Sequence, residues 1–216
     1  ASALLASRAG ADRLELCSSY QSGGETPGGG MLSWVKEKVN IPVFVMIRPR
    51  GGNFVYSSDE TEVMAREIRA LDTAGADGFV FGILDSERCV HREACRELVR
   101  VAGGKPCTFH RAFDVCASAD EALDVAIGCG FRRILTSGMR ESVDEGLETL
   151  IRLMDKAGRR ITIMPGGGLK PVHLPRLVGT GLLREIHASC KALNPETGIP
   201  IFDPSVYDDF RAKLIR

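Results

Sequence analysis

The sequence predicts a parallel α/β barrel, and three observations carry that prediction. Four short segments resemble one another: Arg8-Ala9-Gly10-Ala11-Asp12, Thr73-Ala74-Gly75-Ala76-Asp77, Cys129-Gly130-Phe131-Arg132 and Thr180-Gly181-Leu182-Leu183. Each closes a helical pattern and opens an apolar strand, and its glycine can take the positive φ that a helix C-terminus needs. One further apolar strand lies between consecutive copies, with helical patterns filling the gaps. Four repeats of two βα units make a TIM-type (β/α)8 barrel. A doubly wound open sheet is the structural alternative.

The chain opens on a helix-like run, 2–8, with no strand before it. By the repeat, the first strand is absent from this chain. Seven strands are then expected, at 13–17, 43–48, 78–82, 106–111, 133–137, 160–164 and 184–189. Ser57-Ser58-Asp59-Glu60, Ser118-Ala119-Asp120-Glu121 and Ser142-Val143-Asp144-Glu145 each read as a capping box, in which serine and glutamate satisfy the free amides of a first helical turn. Behind them, Met64, Ile68 and Leu71 form one apolar stripe, and Leu147, Leu150, Ile151 and Met154 another. A single domain, 1–216, is expected: barrel over 1–189, loop and helix over 190–216. The loop is Asn194-Pro195-Glu196-Thr197-Gly198. The helix opens at Asp203-Pro204, bears Val206, Phe210 and Leu214 on one face, and reads as the piece that closes the barrel rather than as a subunit contact.

Composition narrows the function classes. The 28 basic and 28 acidic residues balance, against the basic excess of a nucleic-acid-binding surface. No apolar run is long enough to span a bilayer, and no signal peptide is expected. Seven cysteines, an odd number without a C-x-x-C pair, read as reduced thiols of a cytoplasmic protein.

Side chains on a barrel strand alternate between interior and helix layer. That points Arg13, Glu15, Cys17, Phe44, Met46, Arg48, Thr108, His110, Thr136, Thr162, Met164, Glu185, His187 and Ser189 inward. The polar members lie late in their strands, at the end that carries the site in this fold. Glu15, Arg48, His110, Glu185 and His187 are therefore expected to converge at one mouth. A Glu15–Arg48 ion pair that merely fills the barrel is the plainer reading of those two residues.

The glycine-rich loops are less specific. Arg48-Pro49-Arg50-Gly51-Gly52 and Met164-Pro165-Gly166-Gly167-Gly168 each follow a strand, where backbone amides can approach an anion. Gly28-Gly29-Gly30, in the polar stretch 18–30, reads as a lid or linker. None matches a Walker or Rossmann pattern. A cuprous ion prefers thiolate and thioether, with imidazole acceptable. Cys17, Met46, His110, Met164 and His187 supply such donors among the inward set. Cys89, His91 and Cys95 lack zinc-site spacing.

Several segments together carry a family likeness: Ala11-Asp12-Arg13-Leu14-Glu15-Leu16-Cys17, Pro42-Val43-Phe44-Val45-Met46-Ile47-Arg48-Pro49-Arg50-Gly51-Gly52, Thr108-Phe109-His110-Arg111-Ala112-Phe113-Asp114, Leu135-Thr136-Ser137-Gly138, Met164-Pro165-Gly166-Gly167-Gly168 and Glu185-Ile186-His187. The chain resembles the CutC family, linked to copper homeostasis, from its start to about Ser189. The resemblance implies a cytoplasmic TIM-type barrel, commonly a homo-oligomer, with cuprous binding in some members and no established enzymatic activity. The cysteine proposed to bind copper in the Glu-Leu-Cys segment maps to Cys17. Its family partner cysteine lies on the first strand, which has no counterpart here, and the tail beyond Ser189 departs from the family pattern.

Two working functions follow. One is copper(I) binding or handling, with Cys17 as ligand and Met46 and His110 as helpers. The other is a barrel enzyme acting on a small anionic or phosphorylated substrate. There Arg48 would hold the anion and Gly166, Gly167 and Gly168 its oxygens, with Glu15 or Glu185 as base and His110 as acid. A purely structural oligomeric scaffold is the bland third.

Overall fold

The computed structural model describes residues 1–195 and 198–214. Its centre is one sheet of six parallel strands, neighbours in chain order: β1 (Leu14–Leu16), β2 (Val43–Met46), β3 (Gly78–Phe81), β4 (Cys107–Phe109), β5 (Arg133–Thr136) and β6 (Thr162–Pro165). Helices α1 (Ser2–Ala9), α2 (Gly29–Lys38), α3 (Ser58–Thr73), α4 (Arg92–Val101), α5 (Ala119–Cys129), α6 (Val143–Ala157) and α7 (Leu174–Gly179) alternate with them. The sheet curls into a half-barrel of TIM type.

The repeat glycines do what their spacing requires: Gly10, Gly75, Gly130 and Gly181 all take positive φ at or just past helix C-termini. The three capping patterns diverge. Ser57 and Glu60 form the full reciprocal box on α3. Ser118 accepts the Glu121 amide on α5 without a reply. Ser142 makes no side-chain cap on α6, whose first amide, Val143 N–H, is taken by the Gly167 carbonyl at 2.9 Å. The Glu145 amide, which a capping box would give to the Ser142 hydroxyl, turns to the Ser142 backbone carbonyl at 3.2 Å instead.

Alternation separates two apolar groups. Leu14, Val43, Val45, Phe79, Phe81 and Ile134 face the helices and join the main core. Phe44, Met46 and Val80 form a smaller cluster on the concave face, with Cys17 against it. The strand expected at 184–189 forms no ladder; His187 N–H donates to the Pro165 carbonyl at 2.9 Å, and the segment otherwise runs extended beside β6. Its side chains are engaged inward with charged partners instead. Parity on β5 also differs from expectation. Arg133 and Leu135 face the concave side, while Thr136 is turned to Asp114 and the Gly138 amide.

Residues 28–30 are not a linker: Gly28 is the N-cap of α2, which begins at Gly29. In the tail, a small antiparallel hairpin of β7 (Lys191–Leu193) and β8 (Pro200–Phe202) precedes α8 (Pro204–Leu214). Glu196 and Thr197 of the expected loop lie outside the described residues. Helix α8 packs against both α1 and α7 with Phe210 buried, and Phe202 N–H donates to Ser2 Oγ at 3.2 Å.

Candidate functional site

The concave face bounds an open cleft of about 2060 Å³. Its ionisable side chains sort into separate levels rather than one ring.

At the N-terminal ends of the strands, Glu185 is clamped by two arginines. Arg13 Nη2 and Arg133 Nε each donate to Glu185 Oε2 at 2.6 Å. Both guanidinium groups sit on the Phe44 ring, 4.9 and 5.3 Å from its centroid, and Arg13 also reaches Met164 Sδ at 3.3 Å. Burial alone would raise the Glu185 pKa, but hydrogen bonds from Arg133 and Arg13 outweigh it and hold the carboxyl below its ordinary value. Glu185 therefore does not join Glu15 and His110 at the mouth, because its charge is satisfied at the other end.

One step up, Glu15 Oε2 lies 3.1 Å from His187 Nδ1. Burial raises Glu15, but the charge and hydrogen bond of His187, with Arg13, bring it below the usual value. Burial depresses His187, but the Glu15 carboxylate lifts it above the usual histidine value. The two form an ion pair inside the cleft.

At the C-terminal end, His110 follows β4 and opens a 3-10 turn, Arg111–Val115. Its Nδ1 accepts the Ala112 amide at 3.2 Å. The ring packs at a tilt against Phe54, centroids 4.8 Å apart. Gly82 leaves it room: a Cβ there would stand 2.9 Å from His110 Nδ1. Burial, then the nearby Arg48, pushes His110 down to about 3. It is thus a neutral imidazole at physiological pH. Since Nδ1 accepts, Nε2 carries the hydrogen, and that N–H has no hydrogen-bond partner among the described residues.

Arg48 is spent on the loops. Its Nη1 donates to the Ser22 and Gly24 carbonyls at 2.8 and 3.1 Å, and its Nη2 to the Gly52 carbonyl at 2.9 Å. Thr26 Oγ1 accepts the Arg48 amide at 2.9 Å. The expected anion holder thus ties residues 22–26 to residues 48–52. The space over Gly166, Gly167 and Gly168 is filled as well. Cβ atoms there would lie 2.5 Å from Leu135, 2.7 Å from the Arg111 guanidinium and 2.9 Å from Ser142. These glycines make room for side chains rather than for oxygens.

Sequence reasoning missed Asp114. Its carboxylate accepts from Arg111 Nε (2.8 Å), the Ser137 amide (3.0 Å) and hydroxyl (2.9 Å), the Met139 amide (3.2 Å) and the Thr136 hydroxyl. Arg111 Nη2 adds Ser137 Oγ at 2.9 Å and the Glu141 carbonyl at 3.0 Å. The segments His110–Asp114 and Thr136–Gly138 are thus two halves of one polar knot. The signal is present, since an aspartate stands three residues after an arginine where an apolar strand runs into polar residues. Of that stretch the sequence reading gives a site role to His110 alone.

For a soft metal, Cys17 and Met46 are the relevant pair. A Cβ on Gly24 would lie 3.3 Å from Cys17 Sγ and 3.6 Å from Met46 Cε, so both side chains gather under that glycine. Burial, then the Glu15 charge, raises the Cys17 thiol above its ordinary pKa, with Lys191 opposing. No group of three His, Cys, Asp or Glu that could hold a metal occurs among the described residues. All seven cysteines are free thiols.

Fold and cleft together define a parallel TIM-type half-barrel whose concave face holds a half-buried acid–imidazole pair, a neutral histidine and the sulfur side chains of Cys17, Met46 and Met164. The chain belongs to the CutC family, whose sequence profile matches residues 1–192. It is 45% identical over 205 residues to the human "Copper homeostasis protein cutC homolog", covering 95% of this chain and 75% of that protein. A CutC family protein of Agrobacterium fabrum is 44% identical over 197 residues, covering 91% and 76%. The crystal structure of a CutC protein from Streptococcus agalactiae superposes with a TM-score of 0.76 at 35% identity, over 82% of this chain and 88% of that one. An aldolase matches with a TM-score of 0.65 at 16% identity, a likeness of fold alone. Among the described residues, no helix is long and apolar enough to cross a membrane.

Proposed function

We propose that this protein serves copper homeostasis, as its relatives' names state of them, and that a cuprous ion is its cargo, met in the cleft at Cys17 and Met46. The observation that carries the reading is the meeting of the Cys17 thiol and the Met46 side chain under Gly24, since thiolate and thioether are the donor types Cu(I) prefers. His110 is a poor third ligand as it stands, because freeing Nε2 would mean moving its proton to Nδ1 and giving up the Ala112 amide. Two soft donors suit an ion that is received and passed on more than one that is caged. Seven free thiols support a cytoplasmic setting, and exposed Met31 and Trp34 on α2 support self-association. Competition against a cuprous chelator tests the reading. Cys17→Ser should weaken binding by about tenfold or more; unchanged affinity would remove Cys17 as ligand.

One observation favours a second reading. The Glu15–His187 pair and the free His110 Nε2–H share a cleft, as an enzyme moving a proton on a small anionic or phosphorylated substrate would require. Within the pair the Glu15 carboxylate is the base and the protonated His187 the acid, and neutral His110 is a hydrogen-bond donor. Ligand-observed NMR against small carboxylates and phosphate esters, with His187→Asn and His110→Phe as controls, tests it. Binding indifferent to both substitutions would dismiss it.

A further inference from the structure

A second recess, of about 320 Å³, lies at the N-terminal ends of β4 to β6. Five arginines line it, Arg132, Arg133, Arg159, Arg160 and Arg184, and no acidic residue does. In a chain whose charges balance at 28 against 28, this is a marked local surplus. Two of the five are held in place by carbonyls at the end of α6: Arg160 Nη2 donates to Lys156 at 2.9 Å, and Arg184 Nη2 to Gly158 at 3.0 Å. The counter-charges are few. Asp124 lies 3.2 Å from Arg160, and Arg133 must share Glu185 with Arg13. The side chains of Arg132 and Arg159 have no hydrogen bond or ion pair among the described residues.

We propose that this recess is a binding site for a small, multiply charged oxyanion of the phosphate or diphosphate class. Guanidinium forks match the oxygens of a phosphoryl group two at a time, and several converging on one recess favour a charge above one. The shape, a recess rather than a plane, favours a free small molecule over an extended polyanion. Arg133 is the wall between this recess and the cleft, since it lines the recess while its Nε binds Glu185, which lines the cleft. An anion in the recess therefore competes with Glu185 for Arg133. The site stands apart from Cys17, His110 and Glu15, and holds whichever reading of the cleft is right.

Isothermal titration with inorganic pyrophosphate and with inorganic phosphate tests the proposal, on the wild type and on Arg132→Gln, Arg159→Gln and the double variant. Arg69→Gln, an exposed arginine on α3, is the control for charge alone. Saturable one-to-one binding is expected, tighter for pyrophosphate. It should weaken about five- to tenfold with each recess arginine removed and stay unchanged in the control. The Arg133 Nε–H resonance should shift on binding. Absence of saturation, a double variant that binds like wild type, or an equal loss in Arg69→Gln would overturn it. All these arginines except Arg133 are exposed, so thermal melts should confirm intact folding in the substituted proteins.

Discussion

Removing the Asp114 carboxylate should be among the most damaging single changes in this chain. Its side chain is 4% exposed and accepts from two backbone amides, two hydroxyls and one guanidinium. In Asp114→Ala, the Ser137 and Met139 amides lose an acceptor. An orphaned buried amide costs about 1–3 kcal/mol. Arg111 loses its ion partner too, but at 41% side-chain exposure water replaces much of that contact. The hydroxyls can turn to other acceptors, and Ser137 Oγ already meets the Arg140 carbonyl. The two amides with a discounted ion pair give a loss of about 3–5 kcal/mol, in line with breaking a buried charged network. Asp114→Asn keeps the shape and one acceptor oxygen, and should lose about half as much. Urea unfolding followed by circular dichroism measures both, as a fall in midpoint at constant slope. A stability loss below about 1 kcal/mol for Asp114→Ala would refute the claim that this knot holds the loops after β4 and β5 together.

Three other outcomes follow from the same contacts. Because the Cys17 thiol is raised, a cuprous ion must displace its proton, so affinity should climb about tenfold per pH unit through the neutral range; a flat chelator-competition profile would mean that Cys17 is not the ligand. His187, raised when folded, adds stability that is full below its unfolded value of 6.5 and is lost as pH rises through the folded value. Glu15, lowered when folded, adds stability that is present above 4.5 and is lost as pH falls through its folded value. The pair therefore stabilises most between those two limits, and Glu15→Gln should flatten the melting-temperature profile there. Gly146→Ala should destabilise by about 3 kcal/mol or more, since its Cβ would stand 1.7 Å from the Ser137 carbonyl, whereas Gly29→Ala, with nothing within 4 Å, should gain about 0.5 kcal/mol; equal melting temperatures for the two would contradict the close approach of α6 to the 136–138 turn.

The architecture was legible because it rests on local rules. Gly10, Gly75, Gly130 and Gly181 mark helix ends through backbone stereochemistry, which one residue type satisfies best. Period-2 alternation placed Glu15, Cys17, Phe44 and Met46 on the concave face. The site was legible only in part, because partner choice is not local. Alternation says that a side chain points inward, not at what height its charge is met. Glu185 and His187 are two residues apart on one extended segment, yet one is held by arginines at one end of the cleft and the other meets Glu15 a step above. Arg133 could not be placed, because counting inward positions from Thr136 put the parity of β5 off by one, and a one-residue slip exchanges the faces of a whole strand.

The same non-locality decides how the motif glycines should be read. Three consecutive glycines after a strand suggest an anion cradle only while the space above them is taken to be open. Here Leu135, Arg111 and Ser142 come from other parts of the chain to fill it. Arg111 in turn is aimed by Asp114, three residues on, so the loop after β6 takes its shape from the loop after β4. That dependence gives a discriminating measurement. If Gly167 is glycine because Arg111 lies on it, Gly167→Ala should cost much less stability in an Arg111→Ala background than in the wild type. The residual cost is that of the positive φ, about 1 kcal/mol. A double-mutant cycle reads this coupling directly. Strict additivity would mean that the glycine serves its own backbone conformation alone and that the two loops are not joined through Arg111.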